Sequence, residues 1–290
     1  MPVAPFYLLK RHPLGVDAHF DFVLVLTYAF PARLLAPLLP PGLVLDTYQS
    51  AQPESPALGF VAVAIVRTKN MRPKPLPPEL GQDYMLVGYR LFVRYTALAG
   101  QRLRGLKILR SDVNSASIVA SGNLLTHYNF QYSAIACSAD TSQLRLTSRP
   151  TDGKSNLSVR AYLPGKLTKN EREKEEKNAK VAIERAPLLP AGSPFKTVKE
   201  ALKFAGPMPF TFDYEKETNS IVRVEGIRQN WHPQPVQVEV EEIGFLNQAP
   251  FDQVEAQLCS AFYITDIPYF WKSGITEALP SCDTSTGDEG

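Results

Sequence analysis

Between Arg90 and Asn129 the chain collects side chains that can bind an anion, hold a carbonyl or move a proton. Arg90, Arg94 and Arg110 could hold a carboxylate, because a guanidinium fork meets that group with two parallel hydrogen bonds. His127 sits in the run Thr126–Asn129, where every side chain can hydrogen-bond. An imidazole titrates near neutral pH and could serve there as general acid or base. Asn123 or Asn129 would hold it in place, and Asn114 is a further amide able to bind substrate. Asp112 could orient His127 or pair with Arg110. Lys107 shares a strand face with Leu103 and Leu109, so a buried amine at that point is a candidate nucleophile. Each residue also has a plainer reading. The arginines could make internal ion pairs, His127 could satisfy buried backbone groups, Asp112 could cap its own turn, and Lys107 could be a surface charge.

Short apolar runs punctuated by 25 prolines must position these groups, which favours strands joined by loops over long helices. Strands are expected at 22–28, 43–49, 59–67 and 84–95, then at 103–110, 117–122, 131–138, 143–147 and 157–163. A further set is expected at 210–214, 220–227, 236–243 and 260–263. From Tyr84 to Tyr95 the alternation puts Met85, Val87, Tyr89, Leu91, Val93 and Tyr95 on a core face. Leu86, Arg90, Phe92 and Arg94 fall on the other face, a mixture suited to a barrel lumen or cleft wall. Short helices are expected at 31–36 and 197–204, and the proline-rich stretch 72–79 reads as a rim or flap. One domain over 1–280 is expected, with a charged surface insertion at about 166–186 and a disordered tail at 281–290.

Composition narrows the class. With 44% hydrophobic residues the chain can fill a core, and a net charge of +2 with scattered Lys and Arg argues against nucleic-acid binding. The longest apolar stretches are too short for a membrane helix, and the first residues lack the pattern of a signal peptide, so a cytoplasmic protein without membrane attachment is expected. Cys137, Cys259 and Cys282 have no metal-ligand spacing and read as reduced thiols. His19 and Asp21 share a strand face without a further close ligand, so no metal is expected. His232, between Trp231 and Pro233, could reach a pocket rim. No GxSxG, GxGxxG, P-loop or HExxH pattern occurs, which removes the common hydrolase, dinucleotide and phosphoryl-transfer readings.

A set of landmarks in fixed order resembles the DUF2071 family of the acetoacetate decarboxylase-like superfamily. They are Leu39–Asp46, Arg72-Pro73, Leu76-Pro77, Tyr89-Arg90, Val93-Arg94, Arg104–Leu106 and Leu109–Ser115. Gly122-Asn123, Thr126–Asn129, Ser193–Phe195, Phe204–Tyr214 and Asn230–Pro233 follow. The resemblance implies a mainly β (α+β) fold, a large antiparallel sheet curled into a cone or partial barrel with a few short helices and a pocket in its mouth. It also implies oligomers, no cofactor, and a small organic acid or carbonyl compound as ligand. In the decarboxylase branch a pocket lysine of lowered pKa forms a Schiff base with a β-keto acid. The corresponding part of this chain reads Ser111–Asn114, without lysine. Three functions stay open: a cofactor-independent lyase or isomerase using His127 and Asp112, a non-catalytic ligand-binding or accessory protein, and a Schiff-base enzyme using Lys107.

Overall fold

The computed structural model describes residues 5–49, 56–163, 189–206 and 208–280. The charged run at about 166–186, the tail 281–290 and Cys282 lie outside the described residues. Among the described residues fourteen strands are joined in one continuous network of pairing. The first five are β1 (Val16–Pro31), β2 (Leu43–Leu45), β3 (Leu58–Pro73), β4 (Gln82–Thr96) and β5 (Arg102–Val113). Then come β6 (Phe130–Ala139), β7 (Gln143–Pro150), β8 (Leu157–Tyr162), β9 (Phe210–Glu215) and β10 (Ser220–Arg228). The last four are β11 (Gln234–Pro235), β12 (Gln237–Ile243), β13 (Gln257–Trp271) and β14 (Ile275–Ala278). Among the described residues the α-helices are α1 (Ala32–Leu35), α2 (Ala116–Leu125) and α3 (Val198–Ala205).

Seven strands close on themselves in the order β5-β9-β10-β13-β1-β3-β4, and β4 pairs back to β5. The closed ring removes its own edges. The sheet is antiparallel except at β5, which runs parallel to β9 at Gly105 and Leu106 and parallel to β6 from Ser111 to Val113. One strand therefore belongs to the barrel over its first half and launches a second sheet, β6-β7-β8-β12, from its last residues.

Alternation builds two apolar layers from the same strands. Inside the ring lie Ala62, Ala64 and Val66 of β3, Leu86 and Phe92 of β4, and Phe262 and Ile264 of β13. Outside lie Leu24 and Leu26, Val63 and Ile65, and Val87, Tyr89 and Leu91, packed with Leu144, Leu146, Leu157 and Val159 of the second sheet. The strong strands are longer than their apolar runs suggested, because antiparallel pairing carries β1 and β3 from Val16 to Pro31 and from Leu58 to Pro73.

The expected strand at 117–122 is instead the middle of α2. Ser115 is its N-cap, accepting a hydrogen bond from the Ile118 N–H, and Val113 ends the preceding strand. That cap satisfies an otherwise orphaned helix donor and outweighs the weak β signal of Ile118 and Val119. Thr197 caps α3 in the same way. No helix among the described residues is long and apolar enough to cross a membrane.

Candidate functional site

The barrel encloses a cavity of about 450 Å³. Small inward residues make the space, with Val23 and Val25 on β1 beside their register partners Val66 and Ala64 on β3, and Ala62 further along. Arg90 enters from β4, between Leu86 and Phe92. Its side chain lies back over Gly88, where a Cβ would stand only 3.1 Å from Nε. Among the described residues Arg90 makes no hydrogen bond or ion pair, and its buried Nε has no partner. Burial pulls its pKa below the ordinary guanidinium value, against the opposing influence of Tyr269, Tyr128 and Tyr84. A guanidinium stays charged at neutral pH even so.

The other polar groups of the lining come from several elements. Arg228 on β10 donates to the Met208 carbonyl at 3.1 Å and stands over the Trp231 ring. Tyr128 shares a 2.6 Å hydrogen bond with Thr211, and burial pushes the Tyr128 phenol strongly upward. The same cause takes Tyr84 to about 12. His12 lies 4.7 Å from the Tyr128 ring, centroid to centroid. No Asp, Glu or Lys lines the cavity among the described residues.

Behind this wall, where β5 leaves β9 for β6, sits a buried ionic group. Lys107 Nζ is 2.7 Å from Asp213 Oδ1, and His12 Nε2 is 3.7 Å from Asp213 Oδ2. Burial would raise the Asp213 carboxyl, but Lys107 and His12 hold it at about 2. His127 belongs to the same neighbourhood. Burial lowers its pKa, Asp213 opposes the shift, and its Nε2 is buried without a hydrogen-bond partner. Beneath them Arg11 pairs with Glu215, which also accepts from Thr218.

The residues singled out in the sequence thus fall into separate places. Arg90 alone of the set lines the cavity, while Lys107 and His127 stand behind its wall. Arg94 and Arg104 share the buried carboxylate of Asp46 at 2.5 and 2.6 Å, outside the lining. Arg110 is bound by Asp112 and by both oxygens of Asp152, and Ser155 donates to Asp112. Burial raises the Asp112 carboxyl while Ser155 and Arg110 pull it down.

The three amides serve the backbone. Asn114 accepts from the Met85 N–H, Asn123 bonds both polar groups of Phe130, and Asn129 donates to the Leu109 carbonyl from a left-handed φ of 51°. His232 is not in the lining, although its neighbours Trp231 and Pro233 are. Cys137 and Cys259 are free thiols. No described cluster of three or more His, Cys, Asp or Glu side chains could hold a metal. Sequence reading missed His12, Tyr128, Arg228 and Tyr269 as cavity groups. His12 stands in the short segment before β1, where no periodic pattern announces it.

A family model described as DUF2071, uncharacterized conserved protein, matches residues 17–264. The chain belongs to the DUF2071 family. No curated protein matches it. Among solved structures it is similar to acetoacetate decarboxylase from Legionella pneumophila subsp. pneumophila str. Philadelphia 1. The TM-score is 0.51 at 13% identity, covering 90% of this chain and 87% of that one. An acetoacetate decarboxylase-like enzyme from Sphingomonas wittichii RW1 gives 0.50 at 11%, over 93% and 94%. The enduracididine biosynthesis enzyme MppR, complexed with pyruvate, gives 0.50 at 9%, over 91% and 90%. At such identities the likeness is one of fold, and the DUF2071 chain has the acetoacetate decarboxylase-like fold.

Proposed function

We propose that this DUF2071 protein binds a small organic acid or carbonyl compound inside the barrel, with its carboxylate on Arg90. The carrying observation is a half-buried guanidinium whose Nε is fully buried without a partner, and which has no counter-charge, in a cavity whose described lining holds no acidic side chain. A charge removed from water needs a partner, and a bidentate carboxylate supplies both the charge and the geometry. The pyruvate bound to MppR, a protein of the same fold, supports a ligand of this kind.

Any reaction would be cofactor-independent lyase or isomerase chemistry at a carbonyl, without a Schiff base. Lys107 is engaged by Asp213 and is not in the cavity lining. Among the described residues His12 is the imidazole in contact with the cavity, and the Asp213 carboxylate behind it could orient the ring. That gives His12 the acid–base role expected of His127, with His127 and Lys107 supporting the same carboxylate from behind. A non-catalytic binding protein is the second reading, favoured by the absence of carboxylate and amine from the described lining.

A thermal-shift panel of small keto acids and carboxylates tests the binding claim. A ligand at 100 times its Kd should stabilise the chain by about 2.7 kcal/mol, and Arg90→Met should remove the shift. A variant that responds like the wild type would refute the anchor. Borohydride added to the same panel should leave no adduct at Lys107. Loss of any turnover in His12→Gln, with binding kept, separates the enzyme from the binding protein.

A further inference from the structure

The cavity is much larger than a keto acid such as pyruvate requires. At about 30 Å³ for each water-sized group, 450 Å³ accommodates roughly fifteen of them. Its walls are chiefly hydrocarbon. Phe20, Val23, Ala64, Leu86, Ile118 and Ile264 face the space, and the charged groups are confined to the two arginines and, when protonated, His12. A small polar acid would leave most of that wall against trapped water, which apolar surfaces do not hold well.

The position of the charge within the cavity adds a direction. Gly88, over which the Arg90 guanidinium lies, is six positions along β4 from Gln82 at the rim, roughly 20 Å of strand. Leu14, Leu76 and Leu80 line the cavity and are also 43%, 41% and 60% exposed, which marks an opening at that end. Between opening and charge the same strand contributes Tyr84 and Leu86. Arg90 at depth, with Leu86 and the Tyr84 ring between it and the exposed leucines of the opening, matches a molecule with an anionic head and a hydrocarbon tail.

We propose that the ligand is a monocarboxylate with an extended apolar tail, a medium-chain or aryl-alkyl acid, its head on Arg90 and its tail running toward Leu14, Leu76 and Leu80. The inference rests on the Arg90 anchor of the preceding section and adds the class of acid.

Calorimetric titration of the full chain with straight-chain acids from acetate to dodecanoate, below their micelle concentrations, and with pyruvate tests it. Affinity should tighten about fourfold per added methylene until the cavity is full, as expected from about 0.8 kcal/mol per buried methylene. Pyruvate should bind more weakly than the best of the series. Ala64→Phe, which narrows the cavity, should shift the optimum to a shorter acid, and Arg90→Met should abolish the preference for an acid over its matched primary alcohol. Affinity that depends on Arg90 but is flat in chain length would overturn the tail and leave the anchor standing. Affinity that grows with chain length but ignores Arg90→Met would overturn the anchor, and with it the head-to-tail orientation.

Discussion

Lys107 and Asp213 meet across 106 positions of sequence, and that separation explains what could be read about them beforehand. Alternation along β5 placed Lys107 on a face, but no local pattern could supply its partner. The pair is more than a surface contact, because Asp213 is fully buried and Lys107 mostly so. Removing one member of such a pair strands the other charge in a poor solvent, and the loss is typically about 3 kcal/mol. Lys107→Met should therefore lower unfolding stability by about that amount in urea titration, and Lys107→Met with Asp213→Leu should recover most of it. A single variant within about 0.5 kcal/mol of wild type would show that His12 and water satisfy Asp213 alone. The arginines make the same point about legibility. Their capacity for carboxylates was plain from residue type, and Asp112 was already one candidate partner of Arg110, whereas Asp46 on Arg94 and Asp152 on Arg110 were assigned only by the fold.

Among the elements, β4 was the most readable. Its two faces obey the period-two pattern, with Met85, Val87, Tyr89, Leu91 and Val93 in the outer core and Leu86, Arg90 and Phe92 in the lumen. A register shift at Tyr89 and Arg90, and the pairing of Arg94 with Asp46 at the strand end, mark where that simple pattern stops. The helix α2 was unreadable as a helix, since Ser, Ile, Val and Gly weaken its propensity and its Ser115 cap is a single residue.

Closure at β5 was equally hidden, because it depends on Gly105. A Cβ there would lie 2.5 Å from the Phe210 carbonyl oxygen and would run into the Phe212 ring, so the close parallel approach of β5 and β9 needs a bare backbone. Gly105→Ala should destabilise the protein by about 2 kcal/mol, a typical overpacking loss. It should also weaken any ligand of the cavity, since the strand it displaces carries Leu106 and Ile108 of the lining. Unchanged melting and unchanged ligand affinity would mean that the two strands separate without affecting the barrel.

For the molecule as a whole, buried ionisation ties stability to pH. Asp213 is held at about 2 in the folded state, against an ordinary value of 3.8. Its contribution is fully present above the unfolded value and is lost as pH falls from about 4 through about 2, amounting to about 2 kcal/mol. Asp152 and Glu215, also lowered, act in the same direction. Asp112, raised by burial, acts in the opposite sense and makes the fold relatively more stable as it takes up its proton. Urea midpoints measured from pH 5 to pH 2 should fall more steeply for wild type than for Asp213→Asn. Parallel curves would remove Asp213 from the acid response. None of this long-range coupling was visible in a near-neutral composition; the strand-rich character was legible because many strands announce themselves, while the curling into a cone or partial barrel was implied only by the family resemblance.

If the proposed acid fills the lumen, the chain without it keeps Arg90 without a counter-charge and is the weaker of its two forms. In a living cell, chaperones and proteases sample such weaker forms continually. On that reading, the steady amount of this protein would rise and fall with the supply of the acid that fills it.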